Sequence, residues 1–367
     1  MFTRRRFVAS ASSLVGSAFA MPVCSAQMDT EDYDTAASRT WRLVALTGLG
    51  GDALGRELVR YATMAPSSHN TRCWKFTVAE RVVTIMPDLS RRCPAVDPDD
   101  HHLFVSLGCA TENLIQGALA HGFNGEARFD SATDLVRVTL EQTKAEPSSL
   151  FKAIPARQCS RSDYDAKPLS KEELKLLQRV GTADGVQLLF ITERIAVDQV
   201  LDQVVHANTA QMADAPFVKE LKSWIRFNGA DAVRSGDGLY SGCTGNPSIP
   251  TWIGDLAFSW FFSTNGENEK IVRQIRSSSG LAVYVGGASD KAHWVNVGRC
   301  YQRFALQAPA LGIRNAFLNQ PVEVTSHRSN FAAAIGVPGQ RPDLLVRFGR
   351  GPLMPRSLRR PVSAVLV

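Results

Sequence analysis

The chain has 367 residues, of which 44% are hydrophobic and 21% charged, and this is the balance of an ordinary globular protein. Its length favours two domains or one large one. The formal net charge is +6, but no dense run of Lys and Arg with interleaved aromatic residues occurs, so the composition argues against nucleic-acid binding. The seven cysteines form no C-x-x-C pair, which argues against a zinc-finger type of site.

The N-terminal residues predict export. Thr3-Arg4-Arg5-Arg6-Phe7-Val8 resembles the twin-arginine (Tat) consensus, and an uncharged, mildly apolar stretch follows as far as Phe19. Small residues around Ala20 and Ala26 offer cleavage sites. We therefore predict a Tat signal peptide over residues 1–26, passage through the Tat translocase, and a location in the bacterial periplasm. This segment is too short to span a membrane, and we expect no stable membrane insertion elsewhere.

The next segment contains a glycine motif with two interpretations. Residues 27–45 are polar and are predicted to form a linker. Gly48-Leu49-Gly50-Gly51-Asp52-Ala53 matches the G-x-G-x-x-A pattern of dinucleotide-binding loops, but no acidic residue ends a second strand about 20 residues later. We interpret the glycines as a loop before an amphipathic helix over 52–64, with a dinucleotide site as the alternative.

A hairpin and a long helix are predicted next. Trp74, Phe76 and Val78 alternate as in a strand, and residues 82–86 supply its partner. Acids at 97–100 predict the start of a helix that ends near residue 122. Those acids, together with His101 and His102, also have the residue types of metal ligands. Capping explains the acids without a metal, so no metal site is predicted.

The second part of the chain begins after a join that we predict at residues 147–155. Ser170 and Glu173 have the spacing of a capping box ahead of a helix. Strands are predicted at 186–191, 281–285 and 344–348, and residues 228–250 form a Gly-, Ser-, Pro- and Asn-rich stretch that we interpret as a loop and candidate lid. Runs of helix between short strands, without a regular βαβ cadence, predict an α+β fold.

Two motifs resemble those of a known family. Ala65-Pro66-Ser67-Ser68-His69-Asn70-Thr71-Arg72-Cys73-Trp74-Lys75-Phe76 resembles the A-P-S-S-x-N-x-Q-P-W-x-F signature of the nitroreductase family. Arg157-Gln158-Cys159-Ser160-Arg161 resembles the R-R-[ST]-x-R motif with which those proteins begin. Because the two motifs occur here in reverse order, the chain resembles the Acg-like branch, in which one chain carries two related halves that imitate the usual homodimer. Weaker matches extend the resemblance over roughly residues 50–367: 108–114, 236–239, 294–299, 311–313, 320–323, 344–349 and 359–362.

The resemblance implies a fold, an assembly and a cofactor. The expected fold is nitroreductase-like, with sheets flanked by helices, a first half over 46–150 and a second half over 151–367 that carries the lid near 228–250. A monomeric pseudo-dimer is expected rather than a homodimer. The family binds FMN, and the residues that match its binding positions are Ser67, Ser68 and Asn70 for the flavin edge or ribityl chain, Arg157, Gln158, Cys159, Arg161, Arg359 and Arg360 for the phosphate region, and Leu318 and Asn319 along the flavin face.

The resemblance also implies an activity. Such a protein is an FMN-dependent oxidoreductase that passes hydride through the flavin from NAD(P)H or another donor to a small acceptor, a nitro-aromatic, a quinone or a similar compound. The flavin carries the chemistry, so no catalytic side chain is assigned. The alternative is an FMN-binding, sequestering or sensor protein with little turnover. Arg72-Cys73 replaces the family's Gln-Pro, and Cys159 replaces its Ser or Thr; we expect both departures to alter affinity and substrate range rather than the fold.

Overall fold

Two four-stranded antiparallel sheets with surrounding helices organise the part of the chain that the computed structural model describes, residues 32–44 and 51–367. These residues belong to one compact unit, Glu31–Val367. The predicted signal peptide lies outside the described residues, and so do residues 48–50 of the glycine motif.

The helices and strands are numbered in chain order. The helices of the described residues are α1 Tyr33–Thr40, α2 Gly51–Thr63, α3 His101–Ala120, α4 Ser149–Ala153, α5 Lys171–Gly181, α6 Arg194–Ala213, α7 Ala215–Trp224, α8 Gly229–Ser235, α9 Thr251–Phe261, α10 Thr264–Arg276, α11 Lys291–Ala310, α12 Gln320–Glu323 and α13 Thr325–Ala334. The strands are β1 Trp74–Ala79, β2 Val82–Pro87, β3 Phe123–Asp130, β4 Leu135–Gln142, β5 Val186–Ile191, β6 Ile225–Arg226, β7 Leu239–Tyr240, β8 Gly280–Gly286, β9 Arg314–Phe317 and β10 Pro342–Gly349.

The two four-stranded sheets have the same topology. The first has the strand order β1-β2-β4-β3, and the second has the order β5-β8-β10-β9. All neighbouring strands in both sheets are antiparallel. A 20-residue helix connects the second strand to the third in each case, α3 in the first half and α11 in the second. The predicted α+β fold is therefore confirmed, and the two halves repeat one pattern of strands and helix.

The halves differ in what is inserted between their strands. Helices α6 to α10 separate β5 from β8, and α12 and α13 separate β9 from β10. The stretch 228–250, predicted as a loop, contains helix α8, strand β7 and a 3-10 helix at Ser241–Thr244. Strand β7 pairs in parallel with β6. The boundary predicted between residues 150 and 151 falls inside α4, so that helix belongs to the join.

Helices α3 and α11 cross with their backbones in direct contact. A Cβ atom on Gly108 would lie 1.9 Å from the carbonyl oxygen of Val295, and one on Gly298 would lie 2.0 Å from the carbonyl oxygen of Val105. Each glycine therefore faces a residue three positions before the other glycine. This reciprocal contact is what a two-fold relation between the halves produces. It requires glycine at both positions because any side chain would collide with backbone.

Helix α3 is also the most apolar long helix in the described part of the chain. It is the one described helix long and apolar enough to cross a membrane, and most of its apolar stretch is buried inside the protein. The side chains of Leu107, Leu114 and Ala118 are fully buried in the core cluster shared by both sheets.

The linker prediction for residues 27–45 is wrong for the described part of that segment. Helix α1 buries Ala36 and Ala37 against the insertion and the C-terminal segment. Trp41 is 9% exposed, and its indole Nε1 donates to the carbonyl oxygen of Ser357 at 2.9 Å. The segment looks polar in the sequence because one narrow face of α1 is buried while the rest remains in water.

Candidate functional site

A cavity of about 340 Å³ is lined by residues from both halves and from the insertion, and its size lies in the range of small-ligand sites. Arg360 does not line it. The other predicted cofactor residues do: Ser67, Ser68, Asn70, Arg157, Gln158, Cys159, Arg161, Leu318, Asn319 and Arg359. The fold therefore brings together residues that are up to 292 positions apart in the chain (Ser67 to Arg359, 359 − 67).

The turn after α2 has a strained backbone. His69, Asn70 and Arg72 have φ angles of 46°, 57° and 63°, a region that residues other than glycine rarely adopt. The hydroxyl oxygen of Ser67 accepts a hydrogen bond from the backbone N–H of Arg72 at 3.0 Å and closes the turn. Backbone strain of this kind persists only where surrounding contacts enforce it, and it concentrates at ligand sites.

The side-chain amide of Asn70 is fully engaged by the protein. Its Nδ2 donates to the carbonyl oxygen of Gly238 at 2.9 Å. Its Oδ1 accepts from Arg72 at 2.6 Å and from Arg359 at 3.0 Å. Its amide joins the first half to the insertion and positions Arg359, and because Asn70 also lines the cavity, its contact with a flavin stays a prediction.

Arg72 does not line the cavity but supports residues that do, a role that the sequence motifs did not reveal. It is completely buried, and its guanidinium donates to the carbonyl oxygens of Thr63 at 2.6 Å and Ala65 at 3.0 Å. These bonds hold the end of α2 against the turn. Burial lowers the pKa of Arg72 well below its usual range. The signal available in the sequence was its departure from the family motif, because Arg stands where Gln is expected.

Three further arginines surround Trp41. The guanidinium carbons of Arg359, Arg356 and Arg157 lie 4.5, 5.4 and 5.8 Å from the indole centroid. The carbonyl oxygen of Met64 accepts from Arg157 at 3.0 Å and from Arg359 at 3.2 Å. We call Arg72, Arg157, Arg356 and Arg359 the arginine cluster. The aromatic face stabilises part of this positive charge, since cations are attracted to an indole ring.

The arginine cluster has donors without partners. Within the described residues, Nε and Nη1 of Arg157 and Nε of Arg359 are buried and make no hydrogen bond. None of the ion pairs of the described chain joins a carboxylate to a cluster member. Burial lowers the pKa of Arg359 well below its usual range, and the neighbouring Arg72 and Arg157 add to the effect. Buried cations without a counter-ion are costly, so the cluster is suited to an anion with several oxygens, such as a phosphate monoester.

Further basic groups lie on the same cavity wall. Arg161 and Lys270 both line the cavity. Burial lowers the pKa of Lys270, and Arg161 is one of the positive charges that contribute. Lys270 lies on α10, where nothing in the sequence distinguishes it from an exposed lysine. Its placement depends on how the insertion packs over the second sheet.

Two predicted phosphate residues have other roles. The side chain of Gln158 donates to the carbonyl oxygen of Pro355 at 3.1 Å and accepts from the backbone N–H of Met354 at 3.1 Å, so it holds the C-terminal segment. Arg360 donates to the carbonyl oxygen of Ala364 at 3.0 Å and is directed away from the cavity. Of the two C-terminal arginines, Arg359 is the one that belongs to the site.

The predicted flavin-face residues lie at the end of β9. The backbone N–H of Leu318 donates to the carbonyl oxygen of Leu345 at 2.9 Å, and the backbone N–H of Leu345 donates to Oδ1 of Asn319 at 2.9 Å. Leu318 and Asn319 therefore continue the sheet edge along the cavity. Cys159, which replaces the family's hydroxyl residue, is paired with Asn315 through an isolated bridge and carries a half-buried free thiol.

The acids and histidines at the start of α3 are engaged by protein groups. The carboxylate of Asp97 accepts from the backbone N–H of His102 at 3.1 Å and of Leu103 at 2.9 Å, as capping predicts. Nε2 of His101 lies 2.8 Å from a carboxylate oxygen of Asp343, which belongs to the second half. Burial raises the pKa of Asp343 to about 6. These residues tie α3 to β10.

The predicted lid contributes to the cavity wall. Residues 238–241, Cys243, Thr244 and Asn246 line it. The backbone N–H of Gly238 donates to the carbonyl oxygen of Asn70 at 3.1 Å. The lid therefore contacts the strained turn through backbone bonds. Whether it moves over a ligand stays a prediction.

Comparison with known proteins supports the nitroreductase resemblance. The chain is similar to two Mycobacterium tuberculosis proteins, from strains CDC 1551 / Oshkosh and ATCC 25618 / H37Rv, that are provisionally named NAD(P)H nitroreductase. Identity with each is 24% over 326 residues, which is 85% of this chain and 90% of the relative. No family model matches the sequence. The resemblance is supported over most of the chain.

Solved nitroreductase structures match a little more than half of this chain. The FMN-dependent nitroreductase NfnB from Mycobacterium smegmatis, in complex with NADPH, matches 55% of this chain and 87% of its own, with 12% identity and a TM-score of 0.37. A nitroreductase with bound FMN from Desulfitobacterium hafniense matches 58% of this chain and 95% of its own, with 14% identity and a TM-score of 0.37.

Proposed function

We propose that this chain is an FMN-dependent oxidoreductase of nitroreductase type, which uses NAD(P)H or another small reductant to reduce a nitro-aromatic, a quinone or a similar acceptor. The observation that carries the proposal is the arginine cluster, which has buried donors without partners and of which Arg157, Arg356 and Arg359 line a cavity together with residues of both family motifs. The names of the Mycobacterium tuberculosis relatives agree with it.

The residues present fit FMN. The phosphate of FMN carries about two negative charges, and guanidinium groups bind such oxygens in pairs. Arg157 has two unpaired donors for this purpose, and Arg161 and Lys270 add positive charge to the same cavity. Ser67 and Ser68 supply short polar groups at the strained turn. When bound, FMN would supply the two-electron chemistry that side chains lack.

The protein's own part in the reaction is binding and orientation. The turn at residues 67–70 and the segment at Leu318 and Asn319 come from different halves and line the same cavity, so both halves would contribute to holding the cofactor. Burial by the insertion excludes water from the arginine cluster, which strengthens its attraction for an anion. None of these roles requires a side chain to donate or accept a proton.

A direct assay tests the proposed activity. The purified protein is expected to be yellow and to lose its flavin absorbance when NADH or NADPH is added without oxygen, with the absorbance returning on addition of a nitro-aromatic or quinone. A yellow protein whose flavin is reduced by dithionite but stays oxidised with both nucleotides would support the FMN-holding alternative instead. A protein that cannot take up FMN contradicts both.

Asn70→Asp tests the electrostatics of the cluster. The new carboxylate would lie where Oδ1 of Asn70 accepts from Arg72 and Arg359, and Asp tolerates a positive φ. We expect FMN to bind about tenfold more weakly, equivalent to about 1.4 kcal/mol, because an internal anion competes with the phosphate. The apo-protein is expected to remain folded but less stable, because the second carboxylate oxygen would face the carbonyl oxygen of Gly238, to which Nδ2 of Asn70 donates. A fluorescence titration with FMN measures the affinity, and an unchanged value would mean that the cluster's charge does not serve the phosphate.

Export is the second element of the proposal. We propose that residues 1–26 direct the folded protein through the Tat translocase to the periplasm, on the basis of Thr3-Arg4-Arg5-Arg6-Phe7-Val8. A cofactor bound between two halves of one chain must be enclosed before export, and a route that carries folded proteins permits this. Replacing Arg4 and Arg5 with Lys is expected to retain the protein in the cytoplasm.

We also propose that the chain belongs to the Acg-like branch and that it is a monomer. The repeated strand order and the reciprocal contact of Gly108 and Gly298 support a chain that contains both halves of a dimer. Light scattering on the FMN-loaded protein is expected to give the mass of one chain.

A further inference from the structure

Three potential metal ligands from distant segments meet beside the cavity. His69, Cys93 and Glu220 each offer one donor atom, and these atoms all lie within 4.8 Å of one another. His69 lies on the strained turn after α2, Cys93 follows β2, and Glu220 lies on α7 of the insertion. The site would therefore join the first half to the insertion.

Two of the three donors, Nε2 of His69 and the thiol of Cys93, are buried. Nε2 of His69 is buried and has no hydrogen-bond partner in the described part of the chain. Cys93 is 4% exposed and carries a free thiol. The carboxylate of Glu220 accepts from the backbone N–H groups of Ala95 at 3.0 Å and Val96 at 3.2 Å. Those two bonds orient the carboxylate and hold the loop that carries Cys93, while each oxygen keeps a second lone pair.

Imidazole, thiolate and carboxylate are the donor set that zinc prefers in proteins. Bonds of about 2.0–2.3 Å in a tetrahedral site place neighbouring donors about 3.4–3.8 Å apart, so a separation within 4.8 Å needs only a small contraction of side chains. Three protein ligands leave the fourth position for water. A divalent cation would also balance the two negative charges of a buried thiolate and carboxylate.

We propose that His69, Cys93 and Glu220 bind a zinc-type divalent cation that clamps helix α7 of the insertion to the turn at the cavity wall. This site is separate from the arginine cluster and does not depend on the proposed flavin chemistry. The acids and histidines at the start of α3 offer no rival site, because Asp97 caps the helix and His101 pairs with Asp343. Binding links two segments that are 127 positions apart (Cys93 to Glu220, 220 − 93) and so stabilises the folded state.

Cobalt provides a direct readout of the thiolate ligand. The full chain, stripped of metal with a chelator, is titrated with Co²⁺, and the expected result is a thiolate-to-cobalt charge-transfer band that Zn²⁺ abolishes. Zn²⁺ is also expected to raise the unfolding temperature. Wild-type protein that shows no thiolate–cobalt band contradicts the proposal.

Cys93→Ala and Cys300→Ala form a matched pair of variants. Cys300 is also a buried free thiol, but it lies on α11 and outside the ligand group. The band is expected to disappear in Cys93→Ala and to persist in Cys300→Ala; equal bands in both would overturn the proposal. Glu220→Gln keeps one acceptor for the loop and is expected to weaken Zn²⁺ binding by about tenfold or more. Neither Cys93 nor Glu220 lines the cavity, so FMN content, measured in parallel, tests the proposed function separately.

Discussion

Replacing Arg157 and Arg161 together with methionine is expected to give a folded, colourless protein. Arg157 has two buried donors without partners, and both arginines line the cavity. Each charge-assisted hydrogen bond to phosphate contributes about 1.5–3 kcal/mol, so the pair should weaken FMN binding by about 100-fold or more. The absorbance of the purified protein and a fluorescence titration measure the change.

Arg360→Met is the matched control for this double variant. Arg360 is a neighbouring arginine of the C-terminal segment, but its guanidinium bonds to Ala364 and does not line the cavity. The Arg360→Met variant should bind FMN with the same affinity as the wild type. If the double variant retains its yellow colour, the arginines do not hold the phosphate.

The stability of the apo-protein separates a binding role from a structural one. Removing Arg157 loses one hydrogen bond to Met64, but it also removes a positive charge that lowers the pKa of Arg72 and Arg359. These effects oppose each other. We therefore expect the free energy of unfolding of apo Arg157→Met, measured by urea denaturation, to differ from that of the wild type by less than about 1 kcal/mol. A loss of several kcal/mol would mark Arg157 as a structural residue.

Gly298→Ala is expected to have the largest effect on stability. Its new methyl group would lie 2.0 Å from the carbonyl oxygen of Val105 and close to the backbone N of Cys109. Backbone cannot rotate away as a side chain can, so α3 and α11 would have to separate along a contact buried between both sheets. We expect the free energy of unfolding to fall by about 3 kcal/mol, measured by urea denaturation. Gly108→Ala should lower the free energy of unfolding by a similar amount, because the contact is reciprocal.

Gly266→Ala provides a comparison for the same chemical change in a helix. Its Cβ would lie 3.2 Å from the hydroxyl of Ser263, which is an exposed side chain. Alanine favours helix over glycine by up to about 1 kcal/mol, so the unfolding free energy should stay within about 1 kcal/mol of the wild type. If Gly298→Ala is equally mild, the helices do not need their close approach.

Local signals in the sequence predicted several elements correctly. Alternation of apolar residues predicted the hairpin of β1 and β2, and acids followed by an apolar run predicted α3. The capping box predicted at Ser170 and Glu173 is present, with both reciprocal hydrogen bonds. These predictions succeeded because each depends on neighbours within a few residues, where spacing alone fixes the geometry.

The linker and the lid were predicted less well. The sequence of helix α1 predicts a linker because only two of its residues, Ala36 and Ala37, are buried. A short helix with so small an apolar face has the same composition as exposed polar chain. The Gly-, Ser-, Pro- and Asn-rich composition of the stretch 228–250 predicts a loop. Its short helix and strand depend on contacts with β6 and α1, which composition does not reveal.

The sequence by itself determined the α+β class, the two motifs at 65–76 and 157–161, and most of the predicted cofactor residues that meet in the cavity. Tertiary structure alone decided what each side chain does there. The side-chain oxygen of Asn70 accepts from two arginines, Arg359 and not Arg360 lines the cavity, and Arg72 joins the cluster. The physical reason is that hydrogen bonds and burial depend on which distant segments meet, whereas a motif records only the order of residues along the chain.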